Sequence, residues 1–432
     1  MAKIKKIIPR IILDSRGNPT VEVDVILDDG VFGTASAPSG ASTGKSEAHE
    51  LRDLDKNQFH GKGVSKAISH ITRDLAPALI GMNSDNQQSI DECLISTDGT
   101  ENKSRLGANS ILAVSLANAV ANAKSKKTSL FKIISLNETY SLPVPLLNII
   151  NGGQHAKNST DIQEFMIIPA GFNTFFEALR SGSEIYHHLS KLLSQKNLNT
   201  AVGDEGGFAP SLSSNEEALE LILQAIELAS YEPGKQIFIG IDSAASEMFD
   251  NQSVKYKFQS ENTTLSPKDL IQLYKKWVLN YPLISIEDGL EEDSWEDWGK
   301  LNSEIGANCQ LVGDDLFTTN PSRIEKGIDL KSANSVLIKP NQIGTLSETL
   351  HAIEMTKSAN WGTVISHRSG ETESSFISDL AVATNAGQIK SGAPSRGERT
   401  AKYNQLIRIE QKLGQNAIFS GKAIYEKFIK QI

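Results

Sequence analysis

Six short apolar runs in the second half of the chain end at a residue that can carry charge or transfer a proton. Those end residues are Asp242, Glu287, Asp314, Lys339, His367 and Lys390. They are separated by 45, 27, 25, 28 and 23 residues, and all intervals but the first fit one strand, one loop and one helix. In a (β/α)₈ barrel the carboxyl ends of the strands meet on one face, so this pattern predicts a single site.

Lys339 follows the apolar run SVLI at residues 335–338 and precedes Pro340. Taken alone, a lysine in this place marks a strand that leaves the core, because lysine is mostly exposed. Its agreement in spacing with the other five ends favours a place in the common site instead.

Asp242, Glu287 and Asp314 would bring three carboxylates together, and their mutual repulsion would raise their pKa values. A hard divalent cation relieves that repulsion, and ligands that offer only oxygen favour Mg²⁺ over zinc. The alternative is that the same carboxylates form ion pairs with Lys339 and Lys390. We favour the metal, since three acids against two lysines leave an excess of negative charge.

Three glycine-rich segments could supply loops around such a site. GDEGG at residues 203–207 carries Glu205, either a general acid held at the barrel mouth or part of a surface turn. NGGQH at residues 151–155 carries His155, either on a lid or on a solvated loop. PSGASTGKS at residues 38–46 departs from a phosphate-binding P-loop, because three residues rather than four separate Gly40 from Gly44. It fits better as a mobile loop that closes over a ligand.

The elements that position these residues divide the chain in two. The alternation TVEVDV at residues 20–25, a DDG turn and VFGTA at residues 31–35 predict a hairpin, and apolar periodicity predicts helices over residues 64–80 and 106–123. Prolines 143 and 145 mark a junction, after which strands and helices alternate. We therefore predict an α+β domain at residues 1–138 and an α/β barrel at residues 139–432.

Composition narrows the classes of function. A formal charge of −9 disfavours nucleic acid as the main ligand, although an anionic small molecule can still bind where the site is locally positive. Two cysteines without CxxC spacing argue against a disulfide framework and suit a reducing compartment. No run approaches the length of a transmembrane segment, and Pro9 interrupts the first apolar stretch, so we expect a cytoplasmic protein.

Long motifs throughout the chain resemble the enolase family, whose SIEDGL and GQHAKN forms are typical of bacterial members. The blocks that carry the resemblance are LDSRGNPTVEV, PSGASTGKSEAHELRD, NIINGGQHAKN, VGDEGGFAP, SIEDGL, LVGDDLF, LIKPNQIGT, SHRSGETE and IKSGAPSRGERTAKYNQLIRIE. The resemblance implies a small α+β domain followed by an α/β barrel with an antiparallel second strand.

The resemblance also implies a reaction, the reversible dehydration of 2-phosphoglycerate to phosphoenolpyruvate with two Mg²⁺ per site. Lys339 matches the general base and Glu205 the general acid, with Glu164 as its neighbour. The remaining matches are metal ligands or substrate contacts: Asp242, Glu287 and Asp314 for the tighter Mg²⁺, Ser42 for the second Mg²⁺ and the substrate, Arg368 and Ser369 for the phosphate, Lys390 for the substrate carboxylate, and His155 and His367 for closure of the site. We expect Lys390, Arg368 and the bound metal to lower the pKa of Lys339 toward that of a usable base.

Further expectations follow from the same resemblance. We expect the chain to form a homo-oligomer, either a dimer or an octamer. We also expect that a secondary pool of the protein could be at the cell surface or secreted, beside the cytoplasmic pool. Gln154 and Lys157 depart from many relatives in a loop that borders the site. Two alternatives stay open, namely another lyase or racemase of the same superfamily and a binding protein built on this scaffold without catalysis.

Overall fold

The computed structural model describes residues 2–40, 44–135, 137–156 and 159–429. Its first three strands form an antiparallel sheet, β1 (Ile4–Leu13), β2 (Pro19–Leu27) and β3 (Phe32–Ser36). From Val21 onward every second residue of β2 is buried, because one face of the strand packs against helices. The predicted hairpin turns at Gly30, whose φ of +86° lies in the region that glycine adopts without strain.

Helices complete this first part of the chain. They are α1 (Ser65–His70), α2 (Ala76–Leu79), α3 (Gln87–Asp98), α4 (Ala108–Ser125) and α5 (Leu130–Ile134), and a wider π-type segment, Ile71–Leu75, joins α1 to α2. Both periodic segments are therefore helical, as predicted. The alanine-rich α4 is buried on nearly all sides and lies so close to β3 that a Cβ atom on Gly33 would overlap its backbone.

The remaining strands in chain order are β4 (Ser141–Leu142), β5 (Val144–Asn151), β6 (Glu164–Ile168), β7 (Phe238–Asp242), β8 (Phe249–Asp250), β9 (Lys255–Phe258), β10 (Thr263–Leu265), β11 (Leu283–Glu287), β12 (Gln310–Gly313), β13 (Ser335–Ile338), β14 (Gly362–Ser366), β15 (Gly387–Lys390) and β16 (Ile418–Phe419). Among the described residues, eight of these strands close into a barrel in the order β5, β6, β7, β11, β12, β13, β14, β15. β6 is antiparallel to both neighbours and the other neighbouring pairs are parallel. The predicted barrel with an antiparallel second strand is confirmed.

The helices of the barrel part are α6 (Phe175–Gln195), α7 (Asn215–Leu228), α8 (Pro267–Asn280), α9 (Trp295–Ile305), α10 (Pro321–Leu330), α11 (Pro340–Ile343), α12 (Leu346–Ser358), α13 (Phe376–Ala383) and α14 (Gly397–Leu413). The long interval between Asp242 and Glu287 contains a small antiparallel sheet, β8 to β10, ahead of α8. This insertion is the reason that the first interval is longer than the others.

Apolar side chains fill the inside of the barrel away from the strand ends. Inward-facing residues of the barrel strands form one buried cluster, which Tyr425 and Phe428 close from below. The polar side chains Gln310, Gln388 and Ser285 at this packed end are hydrogen-bonded to one another and to Tyr425, so the charged groups lie at the opposite, carboxyl-terminal mouth.

The α+β part lies against the barrel through its helices. Ser115 Oγ on α4 accepts a hydrogen bond from Leu346 N at 3.0 Å, and Asp91 Oδ2 on α3 accepts one from Ser347 N at 2.9 Å. The division between residues 138 and 139 stays a prediction. Among the described helices, none combines the length and the apolar character that crossing a bilayer requires.

Candidate active site

The six predicted strand ends all lie at the carboxyl-terminal mouth of the barrel. Asp242, Glu287 and Lys390 are the last residues of their strands, and the other three follow directly after theirs. A cavity of about 30 Å³ at this mouth is lined by most of them, together with His155, Glu164, Glu205, Arg368 and Ser369. The volume is close to what one water molecule needs, so the described side chains leave little empty space between them.

The reversal of β6 brings Glu164 into the same mouth. Glu164 is the first residue of β6 and pairs with Asp242 at the end of β7 and with Asn151 at the end of β5. In an antiparallel strand the first residue lies where parallel neighbours end. Spacing of strand ends could not have indicated this acid, which the family resemblance supplied.

Lys390 is the centre of a buried group of carboxylates. Its Nζ lies 2.9 Å from Asp242 Oδ2, 2.8 Å from Glu287 Oε1 and 3.2 Å from Glu164 Oε2. Burial alone lowers the pKa of Lys390, but these carboxylates outweigh it and hold that pKa well above the usual range.

Lys339 forms a short ion pair with Asp314 Oδ2, and Asp314 Oδ1 accepts a hydrogen bond from Gln342 Nε2 at 2.9 Å. Burial, Arg368 and Lys390 lower the pKa of Lys339, but Asp314 overcomes them and the net shift is upward. The expected lowering is therefore not found with Asp314 in contact, because one adjacent carboxylate stabilises the ammonium more than burial and the other cations destabilise it.

Glu205 and two histidines form the other side of the mouth. Glu205 Oε2 accepts from Asn148 Nδ2 at 3.1 Å and lies 3.2 Å from His367 Nε2, while Glu205 Oε1 lies 3.8 Å from His155 Nε2. His155 Nδ1 in turn lies 3.6 Å from Glu164 Oε1. The imidazole of His155 thus lies between the carboxylates of Glu164 and Glu205, at distances longer than a hydrogen bond.

The pKa values of these two carboxyl groups are driven apart. Burial and then the charge of Glu205 raise the pKa of Glu164 well above its usual range. Burial also acts upward on Glu205, but His367 and His155 outweigh it and hold the pKa of Glu205 well below the usual range. Neighbouring acids whose pKa values are driven apart in this way suit a pair in which one group is protonated and the other ionised, with the proton favoured on Glu164.

Arg368 extends the site toward the first part of the chain. Its Nη1 pairs with Glu47 Oε2 at 2.9 Å, and both side chains are buried, with 3% and 8% of their surface exposed. The other Glu47 oxygen accepts from Gly44 N at 3.1 Å, so the loop that precedes Glu47 is bound to the same carboxylate. Ser369 Oγ accepts a hydrogen bond from Arg16 Nη1 at 3.4 Å. Ser42 lies outside the described residues.

The acidic residues of the mouth fit a divalent cation by their chemistry. Glu287 Oε2 is buried without a hydrogen-bond partner among the described residues. Burial and then Asp242 raise the pKa of Glu287 well above its usual range even with Lys390 beside it, because the carboxylates outnumber the ammonium groups. Hard oxygen donors with spare lone pairs and excess negative charge are what Mg²⁺ and similar ions bind.

In the described part of the chain, the trio Asp242, Glu287 and Asp314 does not itself form a tight cluster of ligand atoms. Asp242 and Glu287 share Lys390, whereas Asp314 pairs with Lys339, so the ion pairs of the alternative interpretation are present. Groups of ligand atoms within 4.8 Å of one another are formed instead by His155 with Glu164 and Glu205, by Asp288 with Asp314 and Asp315, and by Glu291 with Glu292 and Asp293.

Several residues of the mouth were not predicted. Glu47, Gln163, Asp315 and Ser366 line the same cavity, and Arg399 supports it from α14. Asp315 was detectable as the second acid of the GDD segment after β12. Glu47 lies on a loop and Arg399 lies within α14, so the spacing of strand ends carried no signal for them.

Comparison with protein families agrees with this architecture and this site. The family described as the enolase N-terminal domain matches residues 4–134, and the family described as the enolase C-terminal TIM barrel domain matches residues 139–428. Together the two matches cover nearly the whole chain. A family of this kind comprises lyases that act on small molecules with a divalent metal, and its barrel is the one that carries the polar mouth described above. From sequence, fold and site together, the chain belongs to the enolase family.

Proposed function

We propose that this enzyme reversibly dehydrates 2-phosphoglycerate to phosphoenolpyruvate, with two Mg²⁺ per active site. The observation that supports this most is the placement of a lysine and a pair of neighbouring carboxyl groups across one barrel mouth. Lys339 follows β13, and Glu164 begins β6, which is four strands away in a ring of eight. A base and an acid so placed suit a reaction that removes a proton from one carbon and a hydroxyl group from the next.

Lys339 is the proposed base for the proton at carbon 2. It can accept that proton only after its ammonium has lost one, and the contact with Asp314 opposes this loss. We infer that Asp314 leaves Lys339 before the reaction begins. A bound Mg²⁺ would supply positive charge that neutralises Asp314 and stabilises the negative charge that develops on the substrate carboxylate.

Glu205 is the proposed acid that helps the hydroxyl at carbon 3 leave as water, with Glu164 as its partner. The raised pKa of Glu164 and the lowered pKa of Glu205 favour the proton of the pair on Glu164 in this arrangement. The proton must therefore reach Glu205 or be delivered by Glu164 directly. We propose that the two carboxyl groups act as one unit in this step.

Substrate binding is proposed for the remaining cations and polar groups. Arg368 and Ser369 would bind the phosphate, Lys390 the carboxylate, and His155 and His367 would close the site. Asp242, Glu287 and Asp314 would hold the tighter Mg²⁺, and Ser42 would contribute to the second. Lys390 pairs with three carboxylates in this arrangement. Once a bound Mg²⁺ neutralises those carboxylates, Lys390 would be available to pair with the substrate carboxylate.

The proposal is tested by adding 2-phosphoglycerate and Mg²⁺ to the purified protein and following the ultraviolet absorbance of the product's double bond. We expect absorbance to rise, to stop on addition of EDTA and to resume on addition of excess Mg²⁺. Folded protein that gives no signal would rule the proposal out. Turnover of a different carboxylic acid under the same conditions would favour another lyase or racemase of the superfamily, and binding without turnover would favour a non-catalytic protein.

A homo-oligomer, dimer or octamer, is proposed alongside, as is the division into domains at residues 1–138 and 139–432. Ile11 and Leu13 at the end of β1 are exposed apolar residues, with 40% and 59% of their surface accessible. Leu13 also lines a cavity of about 810 Å³ between the first sheet and residues 371–376. Size-exclusion chromatography with light scattering would give the number of chains.

A further inference from the structure

Arg399 on α14 is a fully buried arginine whose guanidinium contacts the residues around the site rather than an acid at its centre. Nη1 lies 2.6 Å from His367 Nδ1 and donates to Arg368 O at 2.7 Å. Nη2 donates to Ser369 O at 2.6 Å and to Asp204 O at 3.0 Å. Each terminal nitrogen carries two hydrogens, so these four contacts use all of them.

The contact with His367 has only one consistent direction. A guanidinium has no acceptor and does not lose its proton in proteins, so His367 Nδ1 must accept with its lone pair. The single proton of a neutral imidazole is then on Nε2. His367 Nε2 lies 3.2 Å from Glu205 Oε2, which places the histidine to donate to that carboxylate, although the two groups are not aligned as a hydrogen bond in this structure.

We propose that Arg399 is a positioning residue that fixes His367 as its Nε2–H tautomer and so directs the histidine's proton at Glu205. The meaning of this for catalysis rests on the proposed function, whereas the tautomer itself does not. With Nδ1 engaged by a permanent cation, His367 has no site for a second proton. Its task is to hold Glu205 by a hydrogen bond, not to exchange protons with the substrate.

The same guanidinium holds together the two chain segments whose separation determines whether His367 can donate to Glu205. Asp204 precedes Glu205, while Arg368 and Ser369 follow His367, and Arg399 binds a carbonyl oxygen of each. One side chain therefore sets the tautomer of the donor and the separation between donor and acceptor.

The tautomer can be measured in the intact protein without substrate or metal. The chain has eight histidines, so ¹⁵N-histidine labelling gives few signals, and His367→Gln identifies the one that belongs to His367. We expect a protonated-type shift for Nε2 and an unprotonated-type shift for Nδ1 between about pH 5 and 8. A wild-type spectrum with the proton on Nδ1 would overturn the proposal, whatever the turnover assay gives.

Arg399→Lys tests whether Arg399 is the cause. Lysine keeps the charge, but a single ammonium cannot reach all four acceptors. We expect His367 to become a mixture of tautomers and kcat to fall about 10- to 100-fold with little change in KM. Retention of the single wild-type tautomer in this variant would contradict the role of Arg399.

Lys402→Met is the matched control. Lys402 is a second fully buried cation one turn further along α14, and its Nζ donates to Thr372 O at 2.6 Å and to Glu398 O at 2.8 Å without contacting His367. Its loss should lower stability and leave the His367 signals in place, so an equal change of tautomer in both variants would reduce Arg399 to a structural role. Should Arg399→Lys fail to fold, a coupling across the hydrogen bond between Arg399 Nη1 and His367 Nδ1 in the wild type decides the matter, and its absence overturns the proposal.

Discussion

Lys339 shows how one contact can hold a catalytic group in its inactive form. A lysine serves as a base only when neutral, and the adjacent Asp314 raises its pKa. Burial, Arg368 and Lys390 act in the opposite direction. Asp314 is therefore the main charge that raises this pKa, with a smaller contribution from Glu287, and because Asp314 is also a proposed metal ligand, a bound cation would free the base.

Lys339→Ala should lower kcat by at least about 100-fold, because no other described side chain can take its place as base. Mg²⁺ affinity should be retained or increased, since Asp314 loses a competing ammonium. Steady-state turnover and calorimetric titration with Mg²⁺ measure the two effects. Lys357→Ala, which removes an exposed lysine that donates to Thr384 O, is the control and should change neither. Retained turnover would contradict the assignment of Lys339 as base.

The carboxylate of Glu47 pairs with the guanidinium of Arg368, which is proposed to bind the substrate phosphate. The Glu47 carboxylate pairs with Arg368 at 2.9 Å and also accepts from Gly44 N, so an arriving phosphate competes with a residue of the adjoining loop. Entry of the anion and rearrangement of residues 44–47 are thereby coupled through one carboxylate.

Glu47→Gln should bind inorganic phosphate more tightly than the wild type, by about threefold to tenfold, because the competing negative charge is removed. It should also unfold at lower denaturant concentration, since a buried charged hydrogen bond is lost at a cost of about 1–3 kcal/mol. Calorimetry with phosphate and urea titration are the measurements. Glu50→Gln is matched, because Glu50 lies on the same loop but pairs with Arg52. Weaker phosphate binding by the Glu47 variant would refute the competition.

Strands and helices determine how much of the site could be predicted. The strand-end rule located six residues because a parallel barrel delivers its carboxyl ends to one face. It missed Glu164, since an antiparallel strand brings its first residue there, and nothing in the apolar run FMII indicates direction. It missed Glu47 and Arg399, which reach the site from a loop and a helix. The spacing of apolar runs shows that strands and helices alternate, so the barrel could be predicted. It does not show in which direction a strand runs, so the reversal of β6 could not be predicted from it.

Two helical glycines offer a test of how helices pack on the barrel. Gly327 on α10 lies against the ring of buried Phe317, which follows the Asp314 loop, and a Cβ atom there would lie well inside van der Waals contact. Gly299 on α9 has only a carbonyl oxygen at 3.9 Å from its ideal Cβ.

Gly327→Ala should lower the free energy of unfolding by about 1–3 kcal/mol through overpacking, despite the better helix propensity of alanine. Gly299→Ala should raise it by about 0.5–1 kcal/mol, because the propensity gain is not offset by a clash. Urea-induced unfolding followed by circular dichroism gives both values. The same sign for both variants would contradict the packing of α10 on Phe317.

The two parts of the molecule are joined by a buried carboxyl group. Asp379 on α13 accepts from Phe131 N on α5 at 3.2 Å and from Gln405 Nε2 at 3.0 Å. Burial is the main cause that raises the pKa of Asp379 to about 6. Because the folded pKa lies above the unfolded one, protonation favours the folded state, and this stabilisation is lost as pH rises through about 6.

Asp379→Asn removes this titration. Relative to the wild type, the variant should gain about 1–3 kcal/mol of unfolding free energy between about pH 4 and pH 7, because the wild type must hold a buried carboxylate at the higher pH. Urea titrations at the two pH values measure the difference. Asp269→Asn, at the exposed start of α8, is the control, and an equal pH dependence in both variants would exclude Asp379 as its source.

The reversed strand β6 has a stereochemical consequence. Glu164 at its start and Lys339 after β13 lie on opposite sides of the ring, so a substrate held between them faces one group with each of its two sides. In the proposed reaction the hydrogen and the hydroxyl group then leave from opposite faces, which is an anti elimination. Had β6 run parallel to its neighbours, its first residue would lie at the packed end of the barrel, and Glu205, the proposed acid, would have lost its carboxyl partner on the second face.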